Sequence, residues 1–307
     1  MSEIVLRTRN LTKRYGKEFA VKDVGMTVKK GEIYGFIGKN GAGKTTLIRL
    51  VTGLIHKTRG DIELMGACSE KDLHSARTMI GSIVGFPYFY GNMTARENLE
   101  VSRLVRNIAG EKCLYEALAL VGLETTGKKK VKSFSMGMKQ RLGIANALLG
   151  DPRFLILDEP VNGLDPISIV EMRELFKKVN REKEVTILIS SHILEELSAI
   201  ATAYGIIDNG RLVEEISAGE LREKCQRYIE IDVIKLQNAV VILEEKFNIR
   251  DYEVLPNHII RVFSHLDAVG EINASLLKEG VTVNQIGLKG QNLEDYFIHA
   301  IGGNADA

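Results

Sequence analysis

The 307-residue sequence contains no tryptophan, only five prolines and three cysteines, and its 41 Lys and Arg almost cancel its 40 Asp and Glu, for a formal charge of +1. That balance excludes a general nucleic-acid coat and a polyanionic tail. Cys68, Cys113 and Cys225 are odd in number, far apart and in no C-x-x-C spacing, so they form neither a disulfide framework nor a zinc ribbon. They read as packing residues of a reducing compartment. No uninterrupted apolar run approaches the roughly 20 residues that a bilayer demands, and the opening MSEIVLRTRN lacks the apolar centre of a secretory leader. The expectation is a cytoplasmic chain that spans no membrane and reaches one only through a partner.

With 45% hydrophobic residues, the length suits about two domains. Residues 1–218 alternate short β-branched runs with helical stretches, the pattern of an α/β domain on a mostly parallel sheet. The clearest strands are 32–37, 154–157, 185–190 and 204–208. Asn209-Gly210 then predicts a tight hairpin into 211–215. Over about 87–150 the strand signal fades and helical spacing replaces it, with Leu114, Leu118 and Val121 on one face. This predicts an inserted helical subdomain. Lys128-Lys129-Lys130 with Lys132 reads as a solvated loop, or else as an anion site. Residues 219–307 follow the order β-α-β-β-α-β, closed by a helix over 292–301, which predicts a small α+β, ferredoxin-like domain. It carries no catalytic motif.

Gly38-Lys39-Asn40-Gly41-Ala42-Gly43-Lys44-Thr45 fits G-x-x-x-x-G-K-[ST] between an apolar strand and the helical run that starts at Thr46. Glycines are needed where backbone N–H groups turn inward around phosphate oxygens. The following helix start adds unpaired amides and a positive dipole end. Lys44 is expected to reach the β- and γ-phosphates and Thr45 to ligate Mg²⁺. Phe154-Leu155-Ile156-Leu157-Asp158-Glu159 is an apolar run ending in two acids, as in a buried parallel strand that opens into a ligand crevice. Asp158 suits the Mg²⁺ shell. Glu159 is placed to orient or deprotonate an attacking water.

Phe134-Ser135-Met136-Gly137-Met138-Lys139-Gln140 resembles the signature motif of ABC-type ATPases. Other elements of that family follow in order. Tyr15 resembles its adenine-stacking aromatic residue, Gly163-Leu164-Asp165 its loop at the dimer seam, and His192 in Ser190-Ser191-His192 its switch histidine. The resemblance spans about residues 3–218. It implies a P-loop NTPase core of ABC ATPase type and ATP as substrate. It also implies nucleotide contacts from Tyr15, Gly38, Asn40, Gly41, Ala42, Gly43, Lys44, Thr45, Thr46, Ser135, Gly137 and Asp165. Lys44, Glu159 and His192 would act on the γ-phosphate side. Ser135 and Gly137 precede an expected helix over 138–149, a second anion-binding helix start. Because one chain has a single copy of each half, the family's ATP sandwich implies a homodimer with two composite sites.

One position departs from the pattern. Most members carry a glutamine after the strand near Ile80–Val84, and some export relatives carry glutamate, but the aligned residue here is Gly85. Either hydrolysis proceeds without it or communication with a partner is altered. The segment from Phe86 to Leu99 resembles the family region that receives a helix of the membrane subunit; its aromatics form either a docking groove or subdomain core.

The set looks most like the ATPase subunits of bacterial bacitracin and lantibiotic exporters. It implies a separate transmembrane permease and a peripheral place on the inner face of the cell membrane. No nucleic acid is expected. Rival readings are a soluble ABC ATPase acting on ribosomes or DNA and a weakly hydrolysing regulatory module.

Overall fold

The first strand, β1 (Ile4–Tyr15), is long enough to serve three neighbours. It pairs antiparallel with β2 (Glu18–Val24), with β3 (Thr27–Lys29) and, beyond the central strand β4 (Ile33–Ile37), with β5 (Arg59–Leu64). Register shifts interrupt each pairing. Such irregularities break the period of two, which is why this antiparallel sheet was not foreseen within a mostly parallel domain.

In this computed structural model, residues 3–290 and 293–302 are described. The chain divides into two compact units, Met1–Ala218 with Ala300–Ala307 and Gly219–His299. Asn292, the expected first residue of the closing helix, lies outside the described residues, as do residues 303–307. The helix itself is described over Leu293–Gly302.

The principal sheet of the first unit adds β6 (Ile80–Ile83), β7 (Phe154–Asp158), β8 (Thr186–Ser191), β9 (Ala203–Asp208) and β10 (Arg211–Ser217) in the order β10-β9-β4-β8-β7-β6. All neighbours run parallel except β10 with β9. Every residue of β4, β7 and β8 is buried. Strands covered on both faces read as continuous apolar runs, so these were visible in the sequence. The β9–β10 turn has Asn209 at φ 46° and Gly210 at φ 76°, the paired positive angles of a tight hairpin. With β8 lying between β4 and β7, the carboxyl ends of three strands open side by side. In parallel α/β sheets ligands bind at that edge.

Between β6 and β7 the described elements are helical: Ala95–Val105, Lys112–Leu120 and Met136–Leu148, with two short 3₁₀ turns. The first is set by a capping box, in which Thr94 accepts from the Glu97 amide at 3.2 Å and Glu97 accepts from the Thr94 amide at 2.6 Å. Leu114, Leu118 and Val121 are buried together. Lys128 to Lys130 are exposed, and Lys130 pairs with Glu97 at 3.3 Å.

The second unit contains β11 (Tyr228–Val233), a helix Leu236–Phe247, β12 (Tyr252–Leu255), β13 (Ile259–Val262), a helix Val269–Lys278 and β14 (Val283–Lys289). Its antiparallel sheet has the order β12-β13-β11-β14, the arrangement of a split βαβ domain. Ile229, Ile231, Val233, Leu243, Ile260 and Ile272 form its core.

The cysteines are free thiols. Cys113 and Cys225 are half-buried, but Cys68 is exposed, which corrects the expectation that all three pack. No helix among the described residues is long and apolar enough to cross a membrane.

Candidate functional site

The turn after β4 is a glycine-built cradle. Gly43, at φ 109°, is the N-cap of the helix Lys44–Val51, and a Cβ there would approach the Ala20 carbonyl to 2.5 Å. Only glycine satisfies both the angle and the contact. The N–H groups of Gly41, Gly43, Lys44, Thr45 and Thr46 donate to no acceptor among the described residues. Asn40 and Gly41 are exposed, Gly38 and Ala42 are buried, and Thr46 is half-buried in the first helical turn. Unpaired amides at a helix start are a ready anion site.

Lys44 is buried at 6% exposure and folds back on the loop, donating to the Gly38 carbonyl at 2.6 Å and the Lys39 carbonyl at 3.3 Å. Its Nζ also lies 3.1 Å from Glu159 Oε1. That contact lacks hydrogen-bond alignment, so Oε1 is buried without a hydrogen-bond partner. Glu159 sits just past β7 at φ 50°, a left-handed angle that costs a non-glycine residue about 1 kcal/mol or more. Strained backbone of this kind clusters at working sites. Its other oxygen, Oε2, is 2.8 Å from His192 Nδ1. With Glu159 ionised, Nδ1 carries the proton and donates to it.

Asp158 closes the other side. Its Oδ2 accepts from Thr45 Oγ1 at 2.8 Å and its Oδ1 from Ser190 Oγ at 2.7 Å. Oxygens of carboxylate and hydroxyl form a hard donor set of the kind that fits Mg²⁺, and Thr45 and Asp158 are the residues that would hold it. Ser191 Oγ accepts from the Ile193 amide at 3.0 Å and donates to Glu196 at 2.9 Å, which stiffens the turn that carries His192.

Ser135, Gly137 and Asp165 form a second group. Ser135 caps the helix Met136–Leu148 by accepting from the Met138 amide at 3.2 Å. The helix begins two residues earlier than expected, which corrects the placement of Gly137: it lies in the first turn, not before it. Asp165 caps the helix Pro166–Lys183, accepting from the Ser168 amide at 2.9 Å and its hydroxyl at 2.7 Å. These bonds hold its carboxyl below the usual carboxylate range, the backbone amide contributing most. A Cβ on Gly137 would lie 3.2 Å from Ser168 Oγ, so the two caps adjoin. Among the described residues no hydrogen bond or ion pair joins this group to the Lys44–Glu159 cluster. Tyr15 ends β1 half-exposed, with the Lys13 ammonium 4.8 Å from its ring centre.

Gly85 lies two residues beyond β6 at φ 77°, with open space where a Cβ would project. Phe86, Tyr88 and Tyr90 are 63%, 94% and 60% exposed. With Pro87, Phe89, Met136 and Gln140 the first two line a groove of about 570 Å³. Ser190, whose part in the site the sequence reading overlooked, had one available signal: a second serine, beside Ser191, closing the apolar run Ile187-Leu188-Ile189 of β8.

A phosphate cradle, two acids at a strand end and a histidine just past the adjacent strand define a P-loop nucleoside triphosphatase. The ABC transporter family matches residues 21–162. Over 299 residues, 97% of this chain and 98% of the relative, the sequence is 47% identical to the bacitracin transport ATP-binding protein BcrA of Bacillus licheniformis. It is 44% identical over 212 residues, 69% of this chain and 90% of the relative, to the lantibiotic transport ATP-binding protein SrtF of Streptococcus pyogenes. The ATP-binding cassette MJ0796, solved as a dimer in a post-hydrolysis state with ADP and Pi, matches the fold. Its TM-score is 0.63 at 24% identity, covering 70% of this chain and 99% of that one. The chain belongs to the ABC transporter family, as an ATP-binding, ATP-hydrolysing subunit.

Proposed function

We propose that this chain powers the export of a peptide antibiotic, as a homodimer attached to a separate membrane permease. The observation that carries the reading is the convergence of Lys44, Asp158, Glu159 and His192 at adjoining strand ends. Similarity over nearly full length to a bacitracin transport protein supports the substrate class. The ribosomal, DNA-binding and regulatory readings are not favoured, because these relatives are transport subunits.

In this reading the free amides of the cradle receive the phosphates of ATP, and Tyr15 stacks on its base. Lys44 exchanges the Gly38 and Lys39 carbonyls for phosphate oxygens and withdraws from Glu159. The carboxylate is then free to orient the attacking water and accept its proton. His192 keeps that carboxylate aimed and presents its ring to the γ-phosphate. Thr45 and Asp158 would hold Mg²⁺, which would supply charge neutralisation at the phosphates.

Ser135 and Gly137, at the start of their own helix, grip the nucleotide on a second copy, beside Asp165 at the seam. A solved neighbour of the same fold, captured as a dimer, supports a two-copy assembly. The exposed aromatic groove at Phe86 and Tyr88 receives a permease helix, placing the chain on the inner membrane face.

The reading is tested by expressing the chain with a candidate permease subunit in sensitive cells and measuring growth inhibition by bacitracin and by a lantibiotic. Protection lost in a Glu159→Gln variant supports it. Equal sensitivity with and without the intact pair refutes it.

A further inference from the structure

Ser190 lies on β8 directly across from Asp158 on β7 and is fully buried. Its hydroxyl makes two bonds. It donates to Asp158 Oδ1 at 2.7 Å, and it accepts from the backbone N–H of Glu159 at 2.9 Å. The direction of both is fixed by chemistry. An amide nitrogen can only donate, so the single hydroxyl proton must go to the carboxylate. One side chain thus ties the two acids to the strand that leads into His192.

Each bond removes a specific freedom. Glu159 has a left-handed backbone angle, φ 50°, which an acidic residue adopts only when its surroundings impose it. The bond to its N–H supplies that constraint at the residue whose carboxylate meets Lys44 and His192. At Asp158, engagement of Oδ1 leaves Oδ2 to face Thr45. Without Ser190 the carboxylate could rotate about χ2, whose wells are broad.

We propose that Ser190 is a positioning residue for ATP hydrolysis: it holds the carboxylate of Asp158 in the rotamer that faces Thr45 and locks the backbone turn that aims Glu159. This rests on the ATPase reading of the site. Ser190 touches no phosphate in the proposal and acts through the two acids.

The test combines amide hydrogen exchange on the nucleotide-free protein with steady-state kinetics on Ser190→Ala, Ser190→Cys and Ser190→Thr. In the native protein the Glu159 amide is expected to be protected. In the Ala and Cys variants its exchange is expected to quicken about tenfold or more, reflecting loss of one buried bond, with neighbouring amides of β7 unchanged. The turnover number should fall about tenfold in both while KM for ATP stays within about twofold, the mark of a lost transition-state interaction. Thr keeps the hydroxyl and should restore most of the rate. Cys preserves the volume, so a cavity left in the Ala variant cannot account for a shared defect.

A native Glu159 amide that exchanges freely would overturn the proposal, whether or not the variants fold. So would Ala and Cys variants that turn over at the native rate. Absence of hydrolysis by the native protein would instead sink the functional reading and leave the exchange result intact.

Discussion

His192 Nδ1 lies 2.8 Å from Glu159 Oε2, and Lys44 Nζ lies 3.1 Å from the other oxygen of the same carboxylate. The prospective base is therefore held between two nitrogens before any nucleotide arrives. In the proposed mechanism only Lys44 must release the carboxylate to reach the phosphates, because His192 holds it through Nδ1 while the rest of its ring faces the γ-phosphate. When Lys44 leaves for ATP, His192 becomes the remaining restraint on the carboxylate.

Replacing His192 with Ala should remove that restraint without touching the cradle amides. ATPase turnover is expected to drop about 10²-fold, in the range for losing a group that works with a general base. The affinity for ATP, measured by displacement of a fluorescent analogue, should change less than about threefold. A variant with native turnover would show that the contact is incidental.

Gly85 is more than a missing side chain, because its φ of 77° suits glycine. Gly85→Gln should lower stability by about 1 kcal/mol, seen as a melting shift of about 2–4 °C. Basal hydrolysis and its Mg²⁺ dependence should stay within about twofold, since Lys44, Thr45, Asp158, Glu159 and His192 are all present. A large gain in turnover would mean that the usual glutamine had been needed for the chemistry.

Tyr34 on β4 is 1% exposed and donates to Glu215 Oε1 at 2.7 Å. Burial, and then the Glu215 charge, raise its phenol well above the ordinary value of 10.0. A raised value in the folded state gives stability that is complete below about 10 and is lost as pH climbs through the raised value. Tyr34→Phe should cost about 1–3 kcal/mol at pH 7, and its deficit relative to the native protein should shrink above pH 10. Urea unfolding of both proteins from pH 7 to 11 measures this; a deficit constant across that range would contradict the assigned ionisation.

How far the sequence reveals this molecule depends on where its regularities lie. Strands β4, β7 and β8 are buried on both faces, and their unbroken apolar runs announce them. The cradle is equally plain, since glycine spacing and Lys44 leave little else that the turn could do. The antiparallel sheet around β1 was hidden by its bulges. Ser190 was hidden for another reason: its role exists only because register sets it opposite Asp158, and register is not written in one strand. The signature helix was recognised with its start two residues late, because Ser135 acts as cap and Gly137 falls inside the first turn.

The central claim is that two copies of this chain clasp one nucleotide between the Lys44 cradle and the Ser135 helix start. Light scattering of a Glu159→Gln variant, eluted from a sizing column with and without Mg-ATP, tests it most directly. The predicted result is a shift from monomer to twice the mass when Mg-ATP is present, abolished by adding Ser135→Arg. A variant that binds ATP yet stays at the monomer mass, alone and with its permease, would contradict it.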